Sequence, residues 1–243
     1  MDRIKVTMTP TQREEHLGAY LKRRGMSHIK ENPNAAYCPI SLTSTPSELR
    51  NILASRQKTL IDEVLAPVGI TGYDPENAPY SPDNNKTAQS DEICMVDTGK
   101  IIGARYFIGH SILPSTGMGV ELKTAEFLNR IIVLLTDNNI RDTRMKVLEG
   151  LNLGYDHFEK QTPEFIQVLK FLKNYSPGTG LKNGNPILLG FPNNNGSNPV
   201  DLEDAVSTTF PKLRYTHRAE IHPVQQAPIN LEQFYEFREM VEN

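Results

Sequence analysis

Apolar positions along the chain follow a helical rhythm near the start and then short runs that alternate with helical stretches. Between Thr11 and Arg24, Leu17, Tyr20 and Leu21 recur at helix spacing, and Gly25 stops the pattern. Residues 30–34 are polar, hold Asn and Pro, and predict a linker. Three strand–helix units follow. The first has an apolar run at 35–40, a loop at 41–45 and a helix at about 46–66, with Thr45 as cap, Pro46 as first helical residue and Glu48 in the first turn. The second has a strand at 68–73, the turn Asp74-Pro75, a Pro- and Asn-rich loop at 76–90 and a helix at about 92–103. The third has a strand at 105–108, a loop at 109–119 and a helix carrying Glu121, Leu122, Ala125 and Leu128. The continuous run 130–135 suits a strand buried on both faces of a parallel sheet. Thr162-Pro163 predicts the start of an amphipathic helix reaching Asn174, with Phe165, Ile166, Leu169 and Leu172 on one face. A Gly/Asn-rich connection at 176–185 leads to a last apolar strand at 186–191.

Strands alternating with helices imply an α/β fold, a flavodoxin- or Rossmann-like parallel sheet of about five strands with helices on both faces and right-handed crossovers. Three regions are expected: an N-terminal helical extension at 1–34, the α/β domain at 35–211, and a C-terminal tail at 212–243. The tail ends in a short charged helix whose Phe234, Tyr235 and Phe237 could dock on the body or on a partner.

Composition adds mostly exclusions. Of the 243 residues 38% are hydrophobic and 23% charged, as in an ordinary globular domain. A net charge of −3 offers no general attraction to nucleic acid or acidic membranes. Two cysteines without CxxC or Cys/His spacing argue against a disulfide framework or a zinc site, and no metal or other cofactor is expected. The N-terminus lacks the apolar run of a signal peptide, and no stretch reaches the roughly 18 apolar residues that span a bilayer. The expectation is a soluble, cytoplasmic protein.

Ligands of open α/β sheets bind beyond the carboxyl ends of the strands, which points to the loops 41–45, 73–90 and 109–119. The third is the most specific. In Ser115-Thr116-Gly117-Met118-Gly119-Val120-Glu121 the glycines allow close backbone approach, and a helix N-terminus offers free N–H groups to an anion. Glu121 equally fits an ordinary carboxylate in the first turn of a helix. Asp97, twenty-four positions earlier, reads by itself as a solvated surface residue. Together the two offer what glycosyl transfer needs: one carboxylate to attack the anomeric carbon and one to manage the leaving group, roughly 5 Å apart in a retaining pair.

The segment from Asp97 to Leu135 resembles the core of the nucleoside 2-deoxyribosyltransferase superfamily, and is particularly similar to the deoxynucleoside 5′-monophosphate N-glycosidases. The motif Pro114-Ser115-Thr116-Gly117-Met118-Gly119-Val120-Glu121-Leu122-Lys123-Thr124-Ala125 and the Asp97-to-Glu121 spacing carry the resemblance. Tyr37 matches a Tyr on the family's first strand, Ser41 the Ser that the monophosphate glycosidases carry four residues later, and Tyr73-Asp74-Pro75 the turn after the second strand. The resemblance implies Glu121 as nucleophile of a glycosyl-enzyme ester, Asp97 assisting departure of the base, and Tyr37 near the sugar or orienting Glu121. It implies that Ser115 and the N–H groups at Gly117 and Gly119 hold a 5′-phosphate or 5′-hydroxyl, with Ser41 as a second phosphate contact and Tyr73 and Asp74 lining the site. The partner implied is a small nucleoside or nucleotide, not a nucleic acid polymer or a membrane, and the chain is expected to form a homo-oligomer.

The chain also departs from the pattern. An Ala-Asp pair of the family is Ala104-Arg105 here, and Thr43 stands where the monophosphate glycosidases carry an Arg. Arg105, His110 and Arg144 could supply cationic contacts instead. Three other readings stay open: an NAD glycohydrolase, a nucleotide-binding or sensor module without turnover, and an interaction protein that uses the aromatic tail.

Overall fold

Apolar stretches with few charges form two central strands, β3 (Ala104–His110) and β4 (Ile131–Asp137), the latter buried throughout, and the shorter β5 (Leu151–Tyr155) runs beside β4. The computed structural model describes residues 10–40, 47–78, 89–110, 116–137, 150–174, 176–182, 185–189 and 200–215. The other two parallel strands are β1 (Asn32–Tyr37) and β2 (Thr71–Tyr73), and the short β9 (Arg214–Tyr215) pairs antiparallel along β5. The order is β2-β1-β3-β4-β5-β9, with the first five strands parallel. The fold is thus α/β, with a five-stranded parallel sheet in flavodoxin-like order.

The chain leaves β1 toward β2 on one side and returns to β3 on the other, so consecutive crossovers lie on opposite faces. Alternate side chains then build two cores. On one face Ala36, Cys38, Tyr106, Ile108, Val133, Leu135, Leu153 and Tyr155 pack with α2 (Ser47–Thr59) and its continuation, and with α5 (Phe158–Leu172). On the other, Tyr37, Phe107, Ile132 and Leu134 meet α3 (Ser90–Gly103) and α4 (Thr116–Phe127). The helix α1 (Pro10–Arg23) precedes β1, and Met26 behind it is buried in this second core.

Beyond Thr59 the helix widens into π turns at Leu60–Leu65 and tightens into a 3₁₀ turn at Ala66–Val68. The wider turn narrows the arc between Leu60, Val64 and Leu65, and all three are buried against the sheet. In α5, Phe165, Val168, Leu169 and Leu172 are buried, each stabilising the fold by about 1.5–3 kcal/mol.

Several expectations change. The fifth parallel strand is Leu151–Tyr155, which no periodicity singles out, whereas the apolar run after 185 lies in a separate antiparallel sheet. That sheet has the order β6-β7-β8, formed by Ser176–Lys182, Asn185–Leu189 and Val200–Asp201, so the expected connection at 176–185 is largely strand. A short helix, α6 (Leu202–Thr209), follows. The helix expected to start at Thr162-Pro163 begins at Phe158, and Pro163 lies inside it. The Glu159 carbonyl, deprived by Pro163 of its helical N–H, accepts the Thr162 hydroxyl at 3.2 Å instead. Strand β1 starts at Asn32 rather than at 35. The charged helix expected at 231–241 falls outside the described residues.

Candidate active site

Tyr37 is the last residue of β1, beside the point where the strand order reverses. Its register partners are Tyr73 on β2 and Phe107 on β3. The three rings form a ladder, Tyr37 standing 5.7 Å from each neighbour with planes inclined by 27°. The ladder faces α3 and α4, and those helices bring Asp97 and Glu121 to the Tyr37 hydroxyl.

The electrostatics show how close the three groups are. Burial and then the charge of Asp97 push Glu121 up to about 7, against the proton that Tyr37 offers it. Burial likewise raises Asp97, again opposed by Tyr37. Tyr37 itself is pushed far above the usual phenol range by burial and by the two carboxylates, so it stays protonated. Its hydroxyl is buried without a hydrogen bond of normal distance and angle, although both carboxylates are near enough to act on its proton. Two carboxylates held this way titrate as a pair, and the first proton lost leaves the second harder to remove.

Glu121 is not in the first turn of its helix. It is the sixth residue of α4, and the first turn holds no acidic residue. The helix dipole is therefore a weak reason for a carboxylate here, since that effect fades after one turn. Gly117 and Gly119 lie inside the first turn, so their N–H groups are among the four that lack a helical acceptor.

Tyr73 is half-buried, stacks on Tyr37 and carries the Lys100 ammonium 4.8 Å from its ring centre. Asp74 accepts the Glu76 N–H at 3.0 Å and the Asn77 amide at 2.6 Å, so its carboxylate holds the turn after β2. Ser41, Ser115 and Arg144 lie outside the described residues. Arg105 is at the opposite, amino edge of the sheet, where its Nε donates to Glu31 at 2.9 Å. It does not join the Tyr37 group. Its charge is neutralised by the segment before β1. His110 closes β3 but belongs to the other face.

There a second polar group emerges that the sequence did not suggest. Arg56 on α2 donates through Nη1 to Asp137 at 2.7 Å and to the Tyr155 hydroxyl at 3.2 Å, and that hydroxyl stands 3.3 Å from His110 Nδ1. Burial and the Arg56 charge hold His110 down at about 3, so the imidazole is neutral. The next residue, Gln57, donates to the Cys38 carbonyl at 2.6 Å. Arg56 and Gln57 thus tie α2 to the ends of β1, β4 and β5. Of this group's members the sequence singled out only His110, as a cationic contact, whereas Asp137 lies beyond the strand end expected at 135 and Tyr155 on a strand that was not expected.

Close packing of the strand ends is visible at Gly109. A methyl group there would stand 2.7 Å from Pro39 Cγ and 2.8 Å from the Pro39 carbonyl. Among the described residues no group of three or more His, Cys, Asp or Glu could hold a metal, and no helix is long and apolar enough to cross a membrane.

No family model matches the chain, and no curated protein matches it. Among solved structures it is similar to the CMP N-glycosidase BcmB of Clostridium botulinum, at 15% identity over 54% of this chain and 96% of that one, with a TM-score of 0.37. A likeness of this size leaves the chemistry to the chain's own residues.

Proposed function

We propose that the protein cleaves or transfers the N-glycosidic bond of a nucleoside or nucleotide through an ester between the sugar and Glu121. The observation that carries this reading is the convergence of two carboxylates with raised proton affinity on one buried tyrosine hydroxyl beside the switch point. A Glu121 oxygen attacks the anomeric carbon, the bond to the base nitrogen breaks, and Asp97 gives the departing base a proton. Water or a second base then attacks the same carbon, gives its proton to the Asp97 carboxylate and releases Glu121. Tyr37 donates to Glu121 and keeps its oxygens aimed at the sugar.

Around this centre the ligand contacts are proposals of the same kind. The N–H groups of Gly117 and Gly119, with Ser115, hold the 5′ end; Ser41 adds a second contact there, and the Tyr73 ring borders the sugar. Asp74 acts through the turn that presents Tyr73. A homo-oligomer and a small nucleoside or nucleotide partner complete the picture, as does the division into an extension at 1–34, a catalytic domain at 35–211 and a tail at 212–243.

The test is incubation with a panel of deoxynucleosides, their 5′-monophosphates and NAD, reading free base by chromatography. Glu121→Ala should lower release by at least two orders of magnitude. Equal release by both proteins would remove Glu121 from the mechanism. Release from none of the substrates would favour a nucleotide-binding module.

A further inference from the structure

The segment from α1 to β1 touches, in turn, each element that carries a carboxylate of the candidate site. Tyr20 meets Phe127 of α4 edge-on, with centroids 6.1 Å apart. The Arg24 guanidinium reaches the Met95 sulfur of α3 at 3.4 Å. Met26 is buried among Ile101 and Ile102 of α3 and Ala125 and Leu128 at the end of α4. Ile29 seats against α3 where two glycines leave room. A methyl on Gly99 would stand 3.4 Å from Ile29 Cδ1, and one on Gly103 would stand 3.6 Å from Ile29 Cγ2. Finally Glu31 takes Arg105 Nε at 2.9 Å, at the start of β3, and also pairs with Arg130, the residue before β4. Arg130 in turn donates to the Ile102 carbonyl at 2.9 Å, closing the loop back onto α3.

Asp97 lies on α3 between Met95 and Gly99, and Glu121 is six residues before Phe127 on α4. The contacts therefore flank both carboxylates along the helices that carry them. We propose that residues 20–31 are a brace that sets the spacing of Asp97 and Glu121, with Tyr20, Ile29 and Glu31 as positioning residues for the reaction. The proposal rests on the glycosyl-transfer reading for its catalytic consequence, while the spacing itself does not depend on it. Spacing matters because a retaining pair works at roughly 5 Å and a shift of about 1 Å can cost on the order of 100-fold in rate.

The experiment compares Tyr20→Ala and Ile29→Ala with Val168→Ala, a control that opens the core on the opposite face of the sheet, where Val168 is buried. The carboxyl carbons of Glu121 and Asp97 are followed by NMR across pH in the full chain, alongside thermal melting and base release. The brace variants should move the Glu121 titration down from about 7, because carboxylates that part and hydrate lose both causes of the rise. They should also lower kcat on the order of 10- to 100-fold with little change in KM. Val168→Ala should lower the melting temperature comparably and leave the titration in place. The same titration shift in all three variants, or in none, would overturn the brace. A shift confined to the brace variants, with no base release from any protein, would keep the brace and end the glycosidase reading.

Discussion

At the scale of single residues, what distinguishes Glu121 is the environment that makes its charge costly. A carboxyl that keeps its proton to about pH 7, beside a second carboxyl raised in the same direction, describes a pair that holds one proton over the acid-to-neutral range. The reactive form is the less populated arrangement of that proton, on Asp97 with a bare carboxylate at Glu121, so kcat/KM should be bell-shaped, with its alkaline limb near 7 where the pair loses its last proton. Two variants check the assignment. Asp97→Asn removes the donor and the neighbouring charge, so the alkaline limb should vanish and the residual rate should climb with pH to a plateau. Tyr37→Phe removes the hydroxyl that favours both ionised forms, so both limbs should move to higher pH. An unchanged profile in both would mean that these groups do not share the catalytic proton.

The same shift makes a statement about stability. The folded chain holds the Glu121 proton to about 7, the unfolded chain only to the ordinary 4.5, so the contribution is intact below 4.5 and lost as pH rises through 7. Glu121→Gln carries no charge to bury. Its melting temperature should match the wild type near pH 4 and exceed it at pH 8, by about 1–3 kcal/mol of stability. A variant less stable than the wild type at pH 8 would contradict the burial of a strained charge.

Among elements, helices and the central strands were legible because their apolar periodicity is long and their ends carry caps or glycines. Strand β5 was not, because Leu151, Leu153 and Tyr155 alternate with Asn152 and Gly154 over only five residues. The apolar residues 186–189 looked equally like a fifth parallel strand, and only pairing partners distinguish the two. Pro163 misled the placement of α5, since a proline is as welcome at a helix start as it is tolerable one turn in when a threonine hydroxyl takes over the freed carbonyl. Gly109 was read as the start of a loop and is instead the place where β3 passes β1 with no room for a side chain. Gly109→Ala must push the Pro39 backbone aside. It should lower stability by about 1–3 kcal/mol and reduce base release disproportionately, because β1 carries Tyr37. Urea unfolding and kcat measured side by side test this, and an alanine variant of wild-type stability and rate would show that the strand ends yield freely.

For the whole molecule, the strand order explains why residues so far apart in sequence share a site. Reversal of direction beside β1 puts α3 and α4 on one face, so Asp97 and Glu121 meet over Tyr37, while Arg56, Asp137, Tyr155 and His110 close the same edge on the other face. The sequence pointed to the first group through its motif spacing. It could not point to the second, since Arg56 and Asp137 are 81 positions apart and only the sheet brings them together. Nor could it show that Arg105 answers to Glu31 at the far edge of the sheet rather than to a ligand.

The central claim is that a Glu121 oxygen becomes bonded to the anomeric carbon. The direct measurement is peptide mass mapping after incubation with a 2-fluoro-2-deoxy nucleoside, whose fluorine slows the second half of the reaction more than the first. The account predicts one stoichiometric equivalent of sugar on the peptide containing Glu121, released base in equal amount, and neither in Glu121→Gln. Sugar carried by another residue, or base released with no adduct and undiminished in Glu121→Gln, would contradict it.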